Sequence, residues 1–166
     1  QKDSEIFTIY LVRHSEKELT SSNHSDPPLS KCGEQRSESL SSFLRDVNLD
    51  VIYSSDYIRT KSTALPTALS KGLEISEYNP QELEDFSKLL IDSKQDALVV
   101  GHSNTTGVLA GNTGPSAWLA GSNSSIRADP RVVIEAEPHE HTWGATWLGS
   151  RTVLGGLGRL PASRPP

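Results

Sequence analysis

The chain has 166 residues, with 16 lysines and arginines against 21 aspartates and glutamates, a formal net charge of -5 and one cysteine. That length suits one domain with an ordinary core, and an acidic balance without a basic block leaves no electrostatic footprint for nucleic acid as a partner. No apolar run approaches the roughly 20 residues that a bilayer-spanning helix needs, so no membrane partner is expected, and Cys32 alone excludes an internal disulfide or a thiolate-rich zinc site.

Short apolar runs alternate with segments of helical period, which predicts strand-helix units around a mostly parallel sheet with helices on both faces, a three-layer α/β/α domain. The first strand is read over Ile6 to Val12. Lys17 to Pro28 is polar, and its Asp26-Pro27-Pro28 marks an extended approach to a helix. Ser30 is a credible N-cap for that helix, with Leu40, Phe43, Leu44 and Val47 on one face and an end near Asp46. A second strand covers Val51 to Tyr53. The helix after it runs from about Tyr57 to Ser70 with Ile58, Ala64, Leu65 and Leu69 toward the sheet, and Pro66 predicts a kink or an early end. A weak edge strand at Leu73 to Ile75 comes next. A helix from Gln81 to Asp92 follows, with Leu83, Phe86, Leu89 and Leu90 inward. Ala97 to Val100 is a buried strand, and Thr105 to Ala110 starts a further helix.

From Gly111 the composition changes. All three tryptophans lie beyond it, and lysine is absent after Lys94. The chain therefore divides into a core, residues 1–110, and a divergent segment, residues 111–166, that at most completes the sheet edge. A divergent extension, a Gly/Pro-rich linker and a change of reading frame all fit this shift. Arg131 to Ile134 and Thr152 to Leu154 are its candidate strands. The chain begins at Gln1 and has no methionine, so removal of an initiating residue is expected. A periplasmic or secreted location and a cytoplasmic one both remain compatible.

In an open parallel sheet, ligands bind at the carboxyl edge. Arg13-His14 ends the first strand, and Gly101-His102-Ser103 ends another. Arg59 follows a third, through Ser54-Ser55-Asp56-Tyr57-Ile58. Two imidazoles with two guanidiniums at one edge read as a phosphate pocket, because guanidinium offers a planar fork of donors matched to phosphate oxygens. Backbone amides at the helix start after His102, with the Ser103 hydroxyl, would add donors. Ser54 and Ser55 read as capping and turn residues, and Asp26, Asp50 and Asp56 as turn residues. Cys32 reads as incidental. His139 and His141 suggest a metal pair, but two ligands do not make a zinc site. Asn23, Asn104 and Asn123 are glycosylation sequons that matter only on a eukaryotic secretory route.

The stretches Leu11-Val12-Arg13-His14-Ser15-Glu16-Lys17, Tyr53 to Thr60 with Thr63-Ala64, and Val100 to Thr105 resemble, in order and spacing, the histidine phosphatase (phosphoglycerate mutase-like) superfamily. The nearer likeness is to its short bacterial phosphatase branch. Pro28-Leu29-Ser30-Lys31-Cys32-Gly33 is similar to a helix-opening element of the same family. The resemblance runs from about Ile6 to Ala110. It implies a phosphoglycerate mutase-like fold and a phosphatase that needs no metal and no cofactor. It also implies His14 as the nucleophile that becomes phosphohistidine, His102 as a second pocket histidine, and Arg13, Arg59 and Ser103 on the phosphate. Glu16, two residues past His14, matches the acid of the short bacterial branch and is the first choice of proton donor, whereas other branches take theirs from the segment where Glu82, Glu84 and Asp85 lie.

The short loops suggest an open pocket and simple hydrolysis rather than a mutase. The partner would be a small phosphorylated metabolite or a phosphoprotein, and the oligomeric state stays open. A non-catalytic phosphate- or phosphoprotein-binding module is the rival reading.

Overall fold

A computed structural model of the chain describes residues 7–113 and 131–134. The strands are β1 (Thr8–Arg13), β2 (Val51–Ser54), β3 (Ile75–Glu77), β4 (Ala97–Gly101) and β5 (Arg131–Ile134). They alternate with helices α1 (Lys31–Phe43), α2 (Ile58–Lys71), α3 (Leu83–Ser93) and α4 (Ser103–Thr113). The strands form one sheet in the order β3-β2-β4-β1-β5, and every pair is parallel.

A sheet covered on both faces needs strands that are apolar on both sides. β4 meets this requirement, with all five residues buried. On one face Ile9 and Leu11 of β1 and Val99 of β4 pack with Phe86 and Leu90 of α3 and Leu109 of α4. On the other, Val12, Ile52, Leu98 and Val100 meet Leu40 of α1, Leu44 just past its end, and Ala64 and Ala68 from α2. The architecture is the three-layer α/β/α expected. β5 lies beyond residue 110 and extends the sheet beside β1. Ile6, the Thr152 to Leu154 run, the sequon at Asn123 and the His139/His141 pair fall outside the described residues.

Several local expectations need correction. Pro66 does not end α2, which continues to Lys71 and closes on Gly72 with φ 64. Packing on both sides of the proline, through Ala64, Thr67 and Ala68, outweighs its missing amide. Ile58, Leu65 and Leu69 are exposed, Leu69 to 74%, while Thr60, Thr63 and Thr67 are buried in their place. The helix lies close to its neighbours on this small face. Thr60 Oγ1 donates to the Ser55 or Tyr57 carbonyl and Thr63 Oγ1 to that of Arg59, so two of the buried hydroxyls are satisfied locally. Phe43 and Leu89 are likewise exposed. The α-helical part of α1 stops at Phe43 rather than near Asp46, and β3 sits two residues beyond its expected start, at Ile75–Glu77.

The loop leaving β1 is tied to the start of α1. Ser30 N donates to Glu16 O at 2.8 Å and Glu18 N to Pro28 O at 2.8 Å. The Ser30 hydroxyl caps α1 by accepting from Gly33 N at 3.1 Å. Gly33 lies so close to Glu16 that a Cβ on it would overlap the Glu16 carbonyl oxygen. A backbone atom cannot swing aside as a side chain can. Gly33→Ala should therefore cost roughly 1–3 kcal/mol as an overpacked site, read from the urea midpoint at constant m-value. An unchanged midpoint would contradict that close approach.

Candidate active site

Parallel pairing decides where the chain's histidines meet. Arg13 of β1 stands beside Gly101 of β4, and His14 N donates to Gly101 O at 2.9 Å, carrying the ladder one residue past the strand. The two next residues, His14 and His102, thus emerge side by side. Their ring centroids are 5.4 Å apart in an edge-to-face arrangement. A Cβ on Gly101 would crowd the Tyr78 hydroxyl and Thr105 Oγ1, so those side chains would have to shift to admit one. His102 opens α4, with its amide on Thr105 Oγ1 at 2.8 Å and its carbonyl accepting from Thr106 N at 2.9 Å.

The His14 Nδ1 lies 2.7 Å from the Ser15 carbonyl oxygen. A carbonyl can only accept, so Nδ1 carries the proton and the neutral ring keeps its lone pair on Nε2. Burial lowers the His14 pKa below its ordinary value. The Ser15 carbonyl opposes this, and the charges of Arg59, Arg13 and Lys17 add to it. His102 is pushed down to about 4, first by burial, then by Arg59, His14 and Arg13, with Asp26 pulling the other way. Both rings are therefore neutral near pH 7, and both lie within reach of the two arginine charges.

His102 Nε2 sits 3.1 Å from the Ser55 hydroxyl. Ser55 is fully buried, and its oxygen is 3.1 Å from Thr60 Oγ1. Thr60 has one proton and two carbonyl acceptors, so Ser55 donates to Thr60 and accepts from His102. Ser55 is thus more than the turn residue expected from sequence. The sequence signal was a serine pair between a strand and an arginine, which turn formation explained equally well.

Asp26 also differs from expectation. Both its carboxylate oxygens accept from Ile58 N, at 3.0 and 3.1 Å, and its Oδ1 pairs with Arg59 Nη1 at 3.2 Å. The Arg59 guanidinium lies over the Tyr57 ring, 4.6 Å from its centroid, and that ring meets His102 edge-on at 4.9 Å. Tyr57 is a further site residue that the sequence reading passed over. Glu16 forms an ion pair with Arg36 of α1, while its Oε2 is buried without a hydrogen bond. Ser103 is exposed at the first position of α4. Among the described residues no cluster of histidine, cysteine, aspartate or glutamate could hold a metal ion.

Residues 9–86 match the model of the histidine phosphatase superfamily (branch 1), and that segment carries the family's pattern. Phosphoserine phosphatase 1 of Hydrogenobacter thermophilus is 41% identical over 71 residues, 40% of this chain and 34% of that protein. The matched stretch thus spans about a third of that relative's length. Among solved structures, the alpha-ribazole phosphatase of Shigella flexneri aligns over 61% of this chain and 77% of its own, with TM-score 0.54 and 18% identity. The protein histidine phosphatase SixA, solved with tungstate, aligns over 63% and 74%, with TM-score 0.53 and 18% identity. At such identity the two structures establish the α/β fold.

The depressed His102 pKa has a consequence for stability. As pH falls, the unfolded chain protonates this ring first, near 6.5, so stability should drop between about pH 6.5 and 4 and level off below. His102→Gln should make that dependence shallower in denaturant midpoints measured from pH 7 to 4. Identical slopes for the two proteins would contradict the burial assigned to the ring.

Proposed function

We propose that the chain is a phosphatase that hydrolyses phosphomonoesters or phosphorylated side chains through a phosphohistidine on His14. The observation that carries this reading is the pair of neutral imidazoles, 5.4 Å apart, under the charges of Arg13 and Arg59. Phosphoryl transfer needs little covalent chemistry from the protein beyond a nucleophile, but it demands positive charge and donors around the moving group. Arg13 and Arg59 would supply the charge and Ser103 a further donor, and His102 would join them by turning the Nε2 proton it gives to Ser55 toward the phosphoryl oxygen. The reaction then needs no metal and no cofactor.

In the first step the His14 Nε2 lone pair attacks phosphorus. The P–N bond forms as the P–O bond to the leaving group breaks, and the departing oxygen takes up a proton. In the second step water attacks, loses a proton, and the P–N bond breaks to release phosphate and return Nε2. Glu16 is the proposed donor to the leaving oxygen. In the structure its carboxylate is paired with Arg36, so to donate it would have to leave that pair and turn to the leaving group.

Two substrate types fit this chemistry. A phosphoserine ester would need the proton from Glu16, whereas a phosphorylated imidazole leaves as a nitrogen base and depends less on it. The names of the relatives, a phosphoserine phosphatase and a protein histidine phosphatase, span these same two types. A second reading, a phosphate- or phosphoprotein-binding module without turnover, is favoured by the Glu16–Arg36 pair, which holds the expected acid away from free rotation.

Turnover separates the two. With p-nitrophenyl phosphate and a chelator present, the wild-type protein should release p-nitrophenolate, and a phosphohistidine should survive an alkaline quench. His14→Ala should lose both signals, since it lacks the nucleophile. Glu16→Gln should retain the aryl phosphate activity, whose leaving group needs no proton, and lose activity on alkyl phosphates by about 10²-fold or more. Phosphate binding without any turnover in the wild type would leave the binding module as the answer.

A further inference from the structure

Helix α2 starts at a disadvantage that its own residues do not correct. Its N-cap, Tyr57, makes no side-chain capping bond, and no acidic residue lies in its first turn. The first amides of a helix need acceptors, and Arg59 brings a cation to the positive end of the helix dipole, where it is disfavoured. Both problems meet one answer from far along the chain. Asp26 takes the Ile58 amide on both carboxylate oxygens, at 3.0 and 3.1 Å, and the Arg59 Nη1 on Oδ1 at 3.2 Å.

The segment carrying Asp26 is itself held. Pro27 behind it is buried, Lys17 bridges to Leu29 in antiparallel fashion, and Glu18 N bonds to Pro28 O at 2.8 Å. Tyr57 supports the guanidinium through its ring face and touches His102 with the same ring. An unbroken series of contacts therefore runs from Asp26 through Arg59 and Tyr57 to His102. One of the five guanidinium N–H donors points to Asp26, and the fork is anchored by that bond.

We propose that Asp26 is the positioning residue of Arg59: it caps α2 across the pocket and fixes the guanidinium at the distance from which it serves the phosphoryl group. This inference rests on the phosphate site proposed above. Asp26 touches no reacting atom in the scheme. It acts through the arginine, and its carboxylate is the internal counter-ion that keeps the fork in one place.

Asp26→Asn keeps an oxygen for the Ile58 amide and removes the charge that anchors Arg59. Four proteins test the idea: wild type, Asp26→Asn, Arg59→Ala and the double variant, each assayed for p-nitrophenyl phosphate turnover and for affinity to inorganic phosphate. With Arg59 present, Asp26→Asn should lower kcat on the order of tenfold, as expected when a charge-stabilising group is held less firmly. Without Arg59, the same change should have no further effect, because the two residues act as one unit. An equal loss on both backgrounds, or none on the first, would overturn the proposal. If the wild type shows no turnover, the phosphatase reading fails separately, and the phosphate affinities are read instead. Asp26→Asn must then shift them at least about threefold with Arg59 and not without it, an energetic coupling that a purely structural cap would not show.

Discussion

The register between β1 and β4 is the constraint on which the site depends. Arg13 against Gly101 is the last rung of that ladder, and the His14 amide extends it onto Gly101 O. Side chains in a strand alternate between faces, so a slip of one residue would exchange the two core faces of β1 and send His14 away from His102. That slip is opposed by burial on both sides. Ile9 and Leu11 belong to one cluster and Val12 to the other, and each of them would lose its partners. β2 joins in the same way, with Ser54 beside Val100, which delivers Ser55 to His102 and begins α2 where Arg59 is needed. The hydrophobic core thus sets the geometry of the polar site at its edge.

Much of this was legible in the chain because the informative residues are local. Ile9 to Val12 and Ala97 to Val100 read as buried strands from their apolar runs alone, and each histidine follows its strand immediately. Ser30 also announces itself as the cap of α1, whereas Gly33 stands out only as part of a family-like helix-opening element and its close approach to Glu16 needs the structure. What escaped the reading depends on contacts between distant segments. Nothing near Asp26 says that its carboxylate caps a helix beginning 32 residues later. Ser55 looks like any turn serine until His102 is beside it. Residue counting along α2 failed for a different reason. The face against α1 and the sheet is built from threonine and alanine, so hydrophobicity marks the wrong side, leaving Leu65 and Leu69 outward.

Two of the three buried threonines of α2 show how a polar face can be buried without large penalty, while Thr67 Oγ1 has no hydrogen-bond partner. A hydroxyl taken from water without a partner costs on the order of 1–3 kcal/mol, yet Thr60 and Thr63 bond to carbonyls in their own helix start. Thr63 also accepts the Ser15 amide at 2.9 Å, so the helix holds the backbone directly after His14. Ser37 of α1 reaches Ser15 from another side, oxygen to oxygen at 3.2 Å. The backbone behind the proposed nucleophile is therefore fixed by two helices through small polar groups. Larger apolar residues at those positions would fill the space but could not accept the Ser15 amide.

Electrostatics then links the site to the anion it is proposed to bind. The arginines that would attract a phosphoryl group also disfavour protonation of both rings, Arg59 and Arg13 acting on each. This keeps the Nε2 lone pair of His14 available near neutrality. A bound dianion would offset the arginine charges and raise the basicity of both imidazoles, so the nucleophile would become a stronger base only once a target was present. Asp26 limits the reverse hazard. By pairing with Arg59 and capping α2, it would offset part of the guanidinium charge at that helix terminus, and an acidic chain of net charge -5 would carry the proposed anion site through local charges. Local arrangement of a few charges, rather than the overall balance, decides what this edge of the sheet can bind.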